Sequence, residues 1–133
     1  MRCRLLRLLL LFSAIAWGVS VIGVFFSWPT AVTILQQLGL KEVSYDPMLD
    51  YWLRMASGAF FLVGVIFFLA AMNPRKYAVL LPVFGWLMVA EGAILLFHGI
   101  RLGLPALPFY ADTLACLLAG SGILYLRNDV VSK

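Results

Sequence analysis

Charged residues are scarce in this chain. Asp, Glu, Lys and Arg make up 12% of its 133 residues, whereas hydrophobic residues make up 64%. A soluble domain is nearer one quarter charged and one half apolar, so this composition excludes a domain whose whole surface faces water. The net charge of +4 does not indicate nucleic-acid binding, because the basic residues flank apolar runs and form no single patch.

Residue types that bind metals and cofactors are also scarce. One histidine and two cysteines exclude bis-histidine haem ligation within one chain and leave too few ligands for a zinc site. The sequence contains no Cys-x-x-Cys pair, no Gly-rich phosphate loop and no nucleophile elbow. We therefore predict no metal, no cofactor and no catalytic residue. Enzyme activity stays open, although the sequence favours its absence.

Four long apolar runs dominate what is present: Leu8–Trp28, Trp52–Met72, Ala78–Gly99 and Phe109–Leu126. Each is long enough, or nearly so, to cross a hydrocarbon core of about 30 Å as a helix. Together they leave no room for a soluble domain. We predict that residues 1–133 form one all-α integral membrane domain with four transmembrane helices.

Small residues recur at seven-residue spacing within these runs. The clearest series are Ser13, Ser20 and Ser27 in the first run and Gly85, Gly92 and Gly99 in the third. A period of seven is typical of left-handed packing, and small side chains let helix backbones approach closely. We expect a left-handed antiparallel four-helix bundle.

The basic residues predict the orientation of the bundle. Seven of the ten Lys and Arg residues lie in the three segments that share one side when the spans number four: Arg2, Arg4, Arg7, Arg75, Lys76, Arg127 and Lys133. The positive-inside rule makes that side cytoplasmic, with both termini inside. Ala14-Ile15-Ala16 looks like a signal-peptide cleavage site, but the apolar run continues beyond it, so we predict an uncleaved span. The expected location is the bacterial inner membrane.

One sizeable outer loop, residues 29–51, joins the first two spans. Thr30 is a candidate N-cap, and the apolar pattern that follows predicts a short interfacial helix that ends at Gly39. Asp46-Pro47 further on is a turn signal. In the third span, Pro82 falls in the second helical turn and is expected to bend the helix near the inner surface.

Glu91 is the only fully charged residue in the third apolar run. A charged side chain in mid-membrane costs roughly 2.5–3.5 kcal/mol on insertion scales, so it normally faces protein or a polar cavity. Arg54, His98 and Asp112 lie at shallower depths in the same outer half of the bundle. These four residues, with Ser20, form the predicted polar cluster, which is a candidate ligand or proton site.

Depth and side-chain direction suggest how these residues pair. Arg54 and Asp112 both lean outward from their helices, so we predict an Arg54–Asp112 pair with His98 beside it, serving either as a clamp or as a functional ion pair. Glu91 leans inward, and we expect a neutral carboxyl group hydrogen-bonded to a hydroxyl such as that of Ser20. Glu91 and His98 share one helix face. They either carry a proton, line a pocket, or make two separate interhelical hydrogen bonds.

Three segments are similar to the small DoxX-like and related four-helix membrane families. They are Arg54-Met-Ala-Ser-Gly58 opening a span, the basic turn Asn73-Pro74-Arg75-Lys76, and the run His98–Pro105, within a region from Tyr51 to Leu126. Some DoxX members are linked to quinone-dependent sulfur oxidation, whereas others have no assigned activity. The resemblance implies a four-helix membrane fold, and it transfers no site residue.

Three functions fit the sequence. The first is a structural or accessory subunit of a membrane assembly, which we expect before the others. The second is a protein that handles a small molecule, a quinone or protons in the outer-half polar pocket. The third is a channel or transporter formed by an oligomer. The expected partners are the lipid bilayer, other membrane proteins or further copies of the chain, and not nucleic acid.

Overall fold

The structure is a computed structural model that describes residues 2–127. Most of these residues are helical. The helices are α1 (Arg2–Gly18), α2 (Val21–Phe25), α3 (Trp28–Gln37), α4 (Pro47–Met72), α5 (Leu81–Leu102) and α6 (Ala106–Leu126). Four segments are long and apolar enough to cross a membrane: Cys3–Phe25, Pro47–Met72, Leu81–Leu102 and Phe109–Leu126. The predicted all-α class is confirmed, with four helices that are long and apolar enough to span a membrane. Lys133 of the predicted basic flank lies outside the described residues.

The outer surface of the helices is strongly apolar. Ile15 of α1 is 71% exposed, Trp86 of α5 is 62% exposed and Leu118 of α6 is 68% exposed. Soluble proteins rarely expose large contiguous apolar surfaces, because contact with water disfavours them. Lipid is the solvent that this surface fits, and it obliges each helix to satisfy its own backbone hydrogen bonds.

The first span is interrupted between α1 and α2. The Ser20 amide donates to the Trp17 carbonyl at 3.3 Å, three residues back, so the helix tightens there. The Ser20 hydroxyl group donates to the Trp17 carbonyl at 2.6 Å and to the Ser57 carbonyl of α4 at 3.0 Å. Because α2 ends at Phe25, the first span ends three residues before the predicted end at Trp28.

The short helix α3 begins earlier than predicted. Its N-cap is Ser27, whose hydroxyl oxygen accepts from the Thr30 amide at 3.4 Å, so the assignment of Thr30 as N-cap is wrong. Ser27 was placed inside the first span because its apolar neighbours hide the cap. The predicted end is confirmed: Gly39 has φ +104° and follows the last turn, a conformation that favours glycine. The interfacial position of α3 stays a prediction.

Pro47 and Pro82 each mark the start of a helix, whereas the sequence predicts a turn at Asp46-Pro47 and a bend at Pro82. Asp46 caps α4 by accepting from the Met48 amide at 2.7 Å, and Pro47 is the first residue of the helix. α4 therefore begins five residues before the predicted start at Trp52. Pro82 lies in the first turn of α5, where a missing amide proton removes no helical bond, and not in a second turn.

Two helix pairs pack with their backbones close together. A side chain added at Gly64 of α4 would lie 2.5 Å from the backbone nitrogen of Gly18 in α1. A side chain at Gly120 of α6 would lie 2.7 Å from the carbonyl oxygen of Gly85 in α5. Both pairs are antiparallel, since residue numbers fall along one helix as they rise along the other. The handedness of the bundle stays a prediction.

The two pairs meet along α1 and α6 and stay apart along α4 and α5. α1 contacts both α4 and α6, whereas α4 and α5 share no comparable interface within the described residues. Near the turn that joins them, the Phe67 and Phe84 rings are 5.7 Å apart. The best-packed core lies at that end, where Leu6, Leu10 and Ile123 are fully buried. The opposite half of the bundle is less densely filled.

Gly64→Ala tests whether the α1–α4 contact holds the fold together. The added methyl group meets backbone atoms of Gly18 that cannot move aside independently, so we expect a loss of about 1–3 kcal/mol of unfolding free energy. Gly58→Ala on the same helix is the matched control, because a side chain there meets nothing within 4 Å. The control should be neutral or up to about 1 kcal/mol stabilising through helix propensity. Equal stabilities of the two variants, measured by denaturation in detergent micelles, would contradict the contact.

Candidate binding cavity

A cavity of about 250 Å³ lies between α1, α5 and α6 in the less densely filled half of the bundle. Its walls are Phe12, Ser13, Ala16, Trp17 and Ser20 of α1, Phe60 of α4, Met88, Glu91 and Leu95 of α5, and Asp112, Ala115, Cys116 and Ala119 of α6. The cavity brings together Ser20, Glu91 and Asp112 of the predicted cluster. It does not include Arg54 or His98. We call it the acidic cavity.

A second cavity of about 320 Å³ lies in the gap between α4 and α5. It is lined by Phe60, Val63, Ile66, Phe67, Phe84, Leu87 and Met88, with Trp17 and Glu91 at its inner end. We call it the apolar cleft. Trp17, Phe60, Met88 and Glu91 belong to both spaces, so Glu91 stands where the acidic cavity and the apolar cleft adjoin.

The charge around the acidic cavity is of one sign. Glu91 and Asp112 are its ionisable carboxyl groups, and none of the residues that line either space is Lys, Arg or His. Within residues 2–127, no three His, Cys, Asp or Glu side chains are grouped so that they could hold a metal ion. Two carboxyl groups therefore line the acidic cavity without a basic residue in its walls.

Glu91 does not make the predicted hydrogen bond to Ser20. The Ser20 hydroxyl group is directed to the carbonyls of Trp17 and Ser57, at 2.6 and 3.0 Å. The Trp17 carbonyl also accepts from the Ser20 amide at 3.3 Å, so the hydroxyl group adds a second bond where the helix tightens. The Glu91 side chain has no hydrogen bond or ion pair to any other residue that the structure describes, and its half-buried carboxyl group lines the two spaces.

Arg54 pairs with Asp50 and not with Asp112. Its Nε and Nη2 atoms donate to Asp50 Oδ1 at 3.1 and 2.6 Å, and its Nη1 atom donates to the Gly23 carbonyl at 2.8 Å. Gly23 lies in the last turn of α2, where carbonyl groups lack helical partners. Arg54 therefore fixes the second span to the first, whereas the prediction was a clamp between the second and fourth.

The error about Arg54 has an identifiable origin. Asp50 was assigned to the outer loop, but α4 starts at Pro47 and places Asp50 one helical turn before Arg54. Oppositely charged residues four apart on a helix are neighbours. The Asp46-Pro47 cap signal was the available clue, since a helix that begins there predicts this pair. Nothing in the sequence pointed to the Gly23 carbonyl.

His98 lies outside the acidic cavity, whereas Asp112 lines it. His98 is exposed on α5 and makes a ring contact with its neighbour Phe97 at 5.1 Å between centroids. The structure therefore does not place it with Arg54 or Asp112, nor in the cavity with Glu91. Asp112 is also exposed overall, yet it lines the acidic cavity. Asp112 is thus a wall residue that also reaches the outer surface of the bundle.

The walls include aromatic residues that we did not select from the sequence. Trp17 and Phe60 are in ring contact, with 5.1 Å between centroids and a tilt of 57°. The sequence offers no signal for them, because an aromatic residue in an apolar helix is equally suited to lipid, core or cavity.

No protein-family model, curated protein or solved structure matches the chain.

Arg54→Gln tests the link between the first two spans. We expect a loss of about 1.5–3 kcal/mol of unfolding free energy, typical of a hydrogen bond to a charged group, because Gly23 and Asp50 both lose their partner. Asp50→Asn keeps the arginine–carbonyl bond and should cost less. Arg101→Gln is the control, since Arg101 is exposed at the end of α5. An Arg54→Gln protein as stable as Arg101→Gln in detergent denaturation would show that the link contributes nothing.

Proposed function

We propose that this protein binds a small molecule inside its helical bundle, as a binding or transport protein and not as an enzyme. The observation that supports this function is the acidic cavity of about 250 Å³ and the adjoining apolar cleft of about 320 Å³. Sites for small molecules are typically about 300–1,000 Å³, mostly apolar, with a few polar groups that orient the ligand. Taken together, the two spaces fit that description.

The position of the carboxyl groups supports binding over a purely structural role. A carboxyl group that serves helix packing is expected to bond to a neighbouring helix, because unsatisfied polar groups are costly in lipid. Glu91 instead faces the cavity without a hydrogen bond to any described residue. Such residues mark ligand or proton pathways in membrane proteins.

Access to the site runs between helices. Phe12 is 56% exposed and Phe60 is 43% exposed, so the walls they form are not covered by other parts of the described chain. A ligand that enters from the lipid or from the outer leaflet would reach Glu91 through these walls. A lipid-soluble ligand such as a quinone, which the DoxX resemblance implies, is compatible with this route.

Service as an accessory subunit of a membrane assembly is the second candidate. The apolar cleft exposes Ile66 by 46% and Leu87 by 61%, and a helix of another protein fits an apolar surface of this kind. A partner helix seated there would close one side of the space beside Glu91. Binding experiments on the isolated protein separate the two candidates, because an accessory subunit needs no ligand.

Ala115→Phe tests the binding function by filling the acidic cavity. We suggest saturation-transfer NMR in lipid nanodiscs with three small aromatic probes: phenyltrimethylammonium, tert-butylbenzene and benzenesulfonate. At least one probe should bind the unmodified protein, above the signal of protein-free discs, and Ala115→Phe should abolish that binding. Ala111→Phe, one turn earlier and outside the cavity wall, should not. Binding of none of the three, or binding that survives Ala115→Phe, would refute the proposal and leave the accessory role.

We also propose the orientation that the basic residues predict, with both termini cytoplasmic in a bacterial inner membrane. The protein has two cysteines, of which Cys3 is exposed and Cys116 is buried. In a Cys116→Ala background, Cys3 should react with a membrane-impermeant maleimide only after spheroplasts are lysed. In a Cys3→Ala, Cys116→Ala background, the added thiol of Lys41→Cys in the outer loop should react in intact spheroplasts. The reverse labelling pattern would invert the orientation.

A further inference from the structure

The acidic cavity concentrates negative charge with no basic residue to balance it. Glu91 and Asp112 line it from two different helices, and Lys, Arg and His are absent from its walls. The nearest arginine in the predicted cluster, Arg54, is already bound to Asp50 and Gly23. A carboxylate in a low-dielectric environment is strongly disfavoured unless a positive charge accompanies it. A positively charged ligand would supply the balancing charge.

Trp17 and Ser20 of the first span also line the acidic cavity, at the point where the helix tightens. The Ser20 hydroxyl group donates to the carbonyl groups of Trp17 and Ser57, so it does not offer its proton to an anion. The Ser20 side chain therefore does not favour a negatively charged ligand.

The aromatic walls favour a cation with an apolar body. The Trp17 and Phe60 rings contact each other beside Glu91, and Phe12 completes the wall. An aromatic face attracts a cation by about 0.5–2 kcal/mol, most strongly where water is excluded. The apolar cleft beyond Glu91, at about 320 Å³, is far larger than a metal ion needs. It can hold a hydrocarbon group attached to the charged centre.

Other ligand classes fit less well. An anion would face two carboxyl groups, Glu91 and Asp112. A zwitterionic phospholipid head group carries a phosphate beside its amine, and the walls offer no basic side chain for that phosphate. A metal ion needs grouped ligands, which residues 2–127 do not provide. Organic ammonium ions with an apolar substituent remain.

We infer that the ligand of this cavity is an organic cation, an inference that rests on the proposed binding function. Its ammonium group lies between Glu91 and Asp112, against the Trp17 and Phe60 rings. Its apolar part occupies the cleft between α4 and α5. Glu91, which borders both spaces, is the residue that selects for positive charge.

The test compares two probes of equal shape and different charge. Phenyltrimethylammonium and tert-butylbenzene differ by one atom, nitrogen in place of carbon, and therefore by one positive charge. Dissociation constants are measured in nanodiscs of uncharged-head-group or zwitterionic lipid, with protein-free discs to correct for partitioning. The unmodified protein should bind the cation at least about tenfold more tightly than the neutral probe, a difference of about 1.4 kcal/mol.

Glu91→Gln then assigns that preference to one residue. The variant keeps the size of the side chain and removes its charge, so affinity for the cation should fall at least about tenfold, while affinity for the neutral probe changes less than twofold. Asp112→Asn should also lower the affinity for the cation. Glu42→Gln, a charge-matched control in the exposed outer loop, should leave both affinities unchanged. Because the probe comparison uses the unmodified protein, it holds even where a variant fails to fold.

The outcomes separate this inference from the proposed function. Equal binding of the two probes, with both lost in Ala115→Phe, would overturn the choice of a cation and keep the cavity as a binding site. Tighter binding of benzenesulfonate than of phenyltrimethylammonium would overturn it as well. Binding of no probe would overturn both proposals. Selective binding of the cation that Glu91→Gln abolishes would establish the ligand class.

Discussion

Two close backbone contacts organise this protein. α1 and α4 approach at Gly18 and Gly64, and α5 and α6 approach at Gly85 and Gly120. In lipid, where no water drives helices together, such contacts are a main source of helix association because they maximise van der Waals packing. The two pairs then meet along α1 and α6. The separation of α4 from α5, and the space beside Glu91, follow from this arrangement.

The need to satisfy backbone groups divides the polar side chains into two sets. Ser20 bonds to the Trp17 carbonyl of the first span and to the Ser57 carbonyl of α4, and Arg54 bonds to the Gly23 carbonyl near the end of the first span. Both are thereby committed to holding the first span against α4. Glu91 and Asp112 are not committed in this way and face the acidic cavity. In this membrane domain, the polar side chains that indicate a site are therefore those that do not bond to backbone carbonyl groups.

The tightening of the first span at Ser20 connects the structure with the proposed binding. The Ser20 amide and hydroxyl group both donate to the Trp17 carbonyl, and the hydroxyl group also donates to the Ser57 carbonyl of α4. Irregular backbone at membrane depth is tolerated where it is buried in protein or lines a cavity. Trp17 and Ser20 line the acidic cavity.

The sequence alone determined the four spans, the end of α3 at Gly39 and the grouping of Ser20, Glu91 and Asp112 in one half of the bundle. These follow from hydrophobic length, glycine conformation and depth along a helix, which are local properties. The partners of Arg54 and Ser20, the start of α4 and the gap between α4 and α5 depended on tertiary structure. A hydroxyl or guanidinium group bonds to whichever unsatisfied carbonyl the packed helices bring within reach, and composition does not reveal which carbonyl that is.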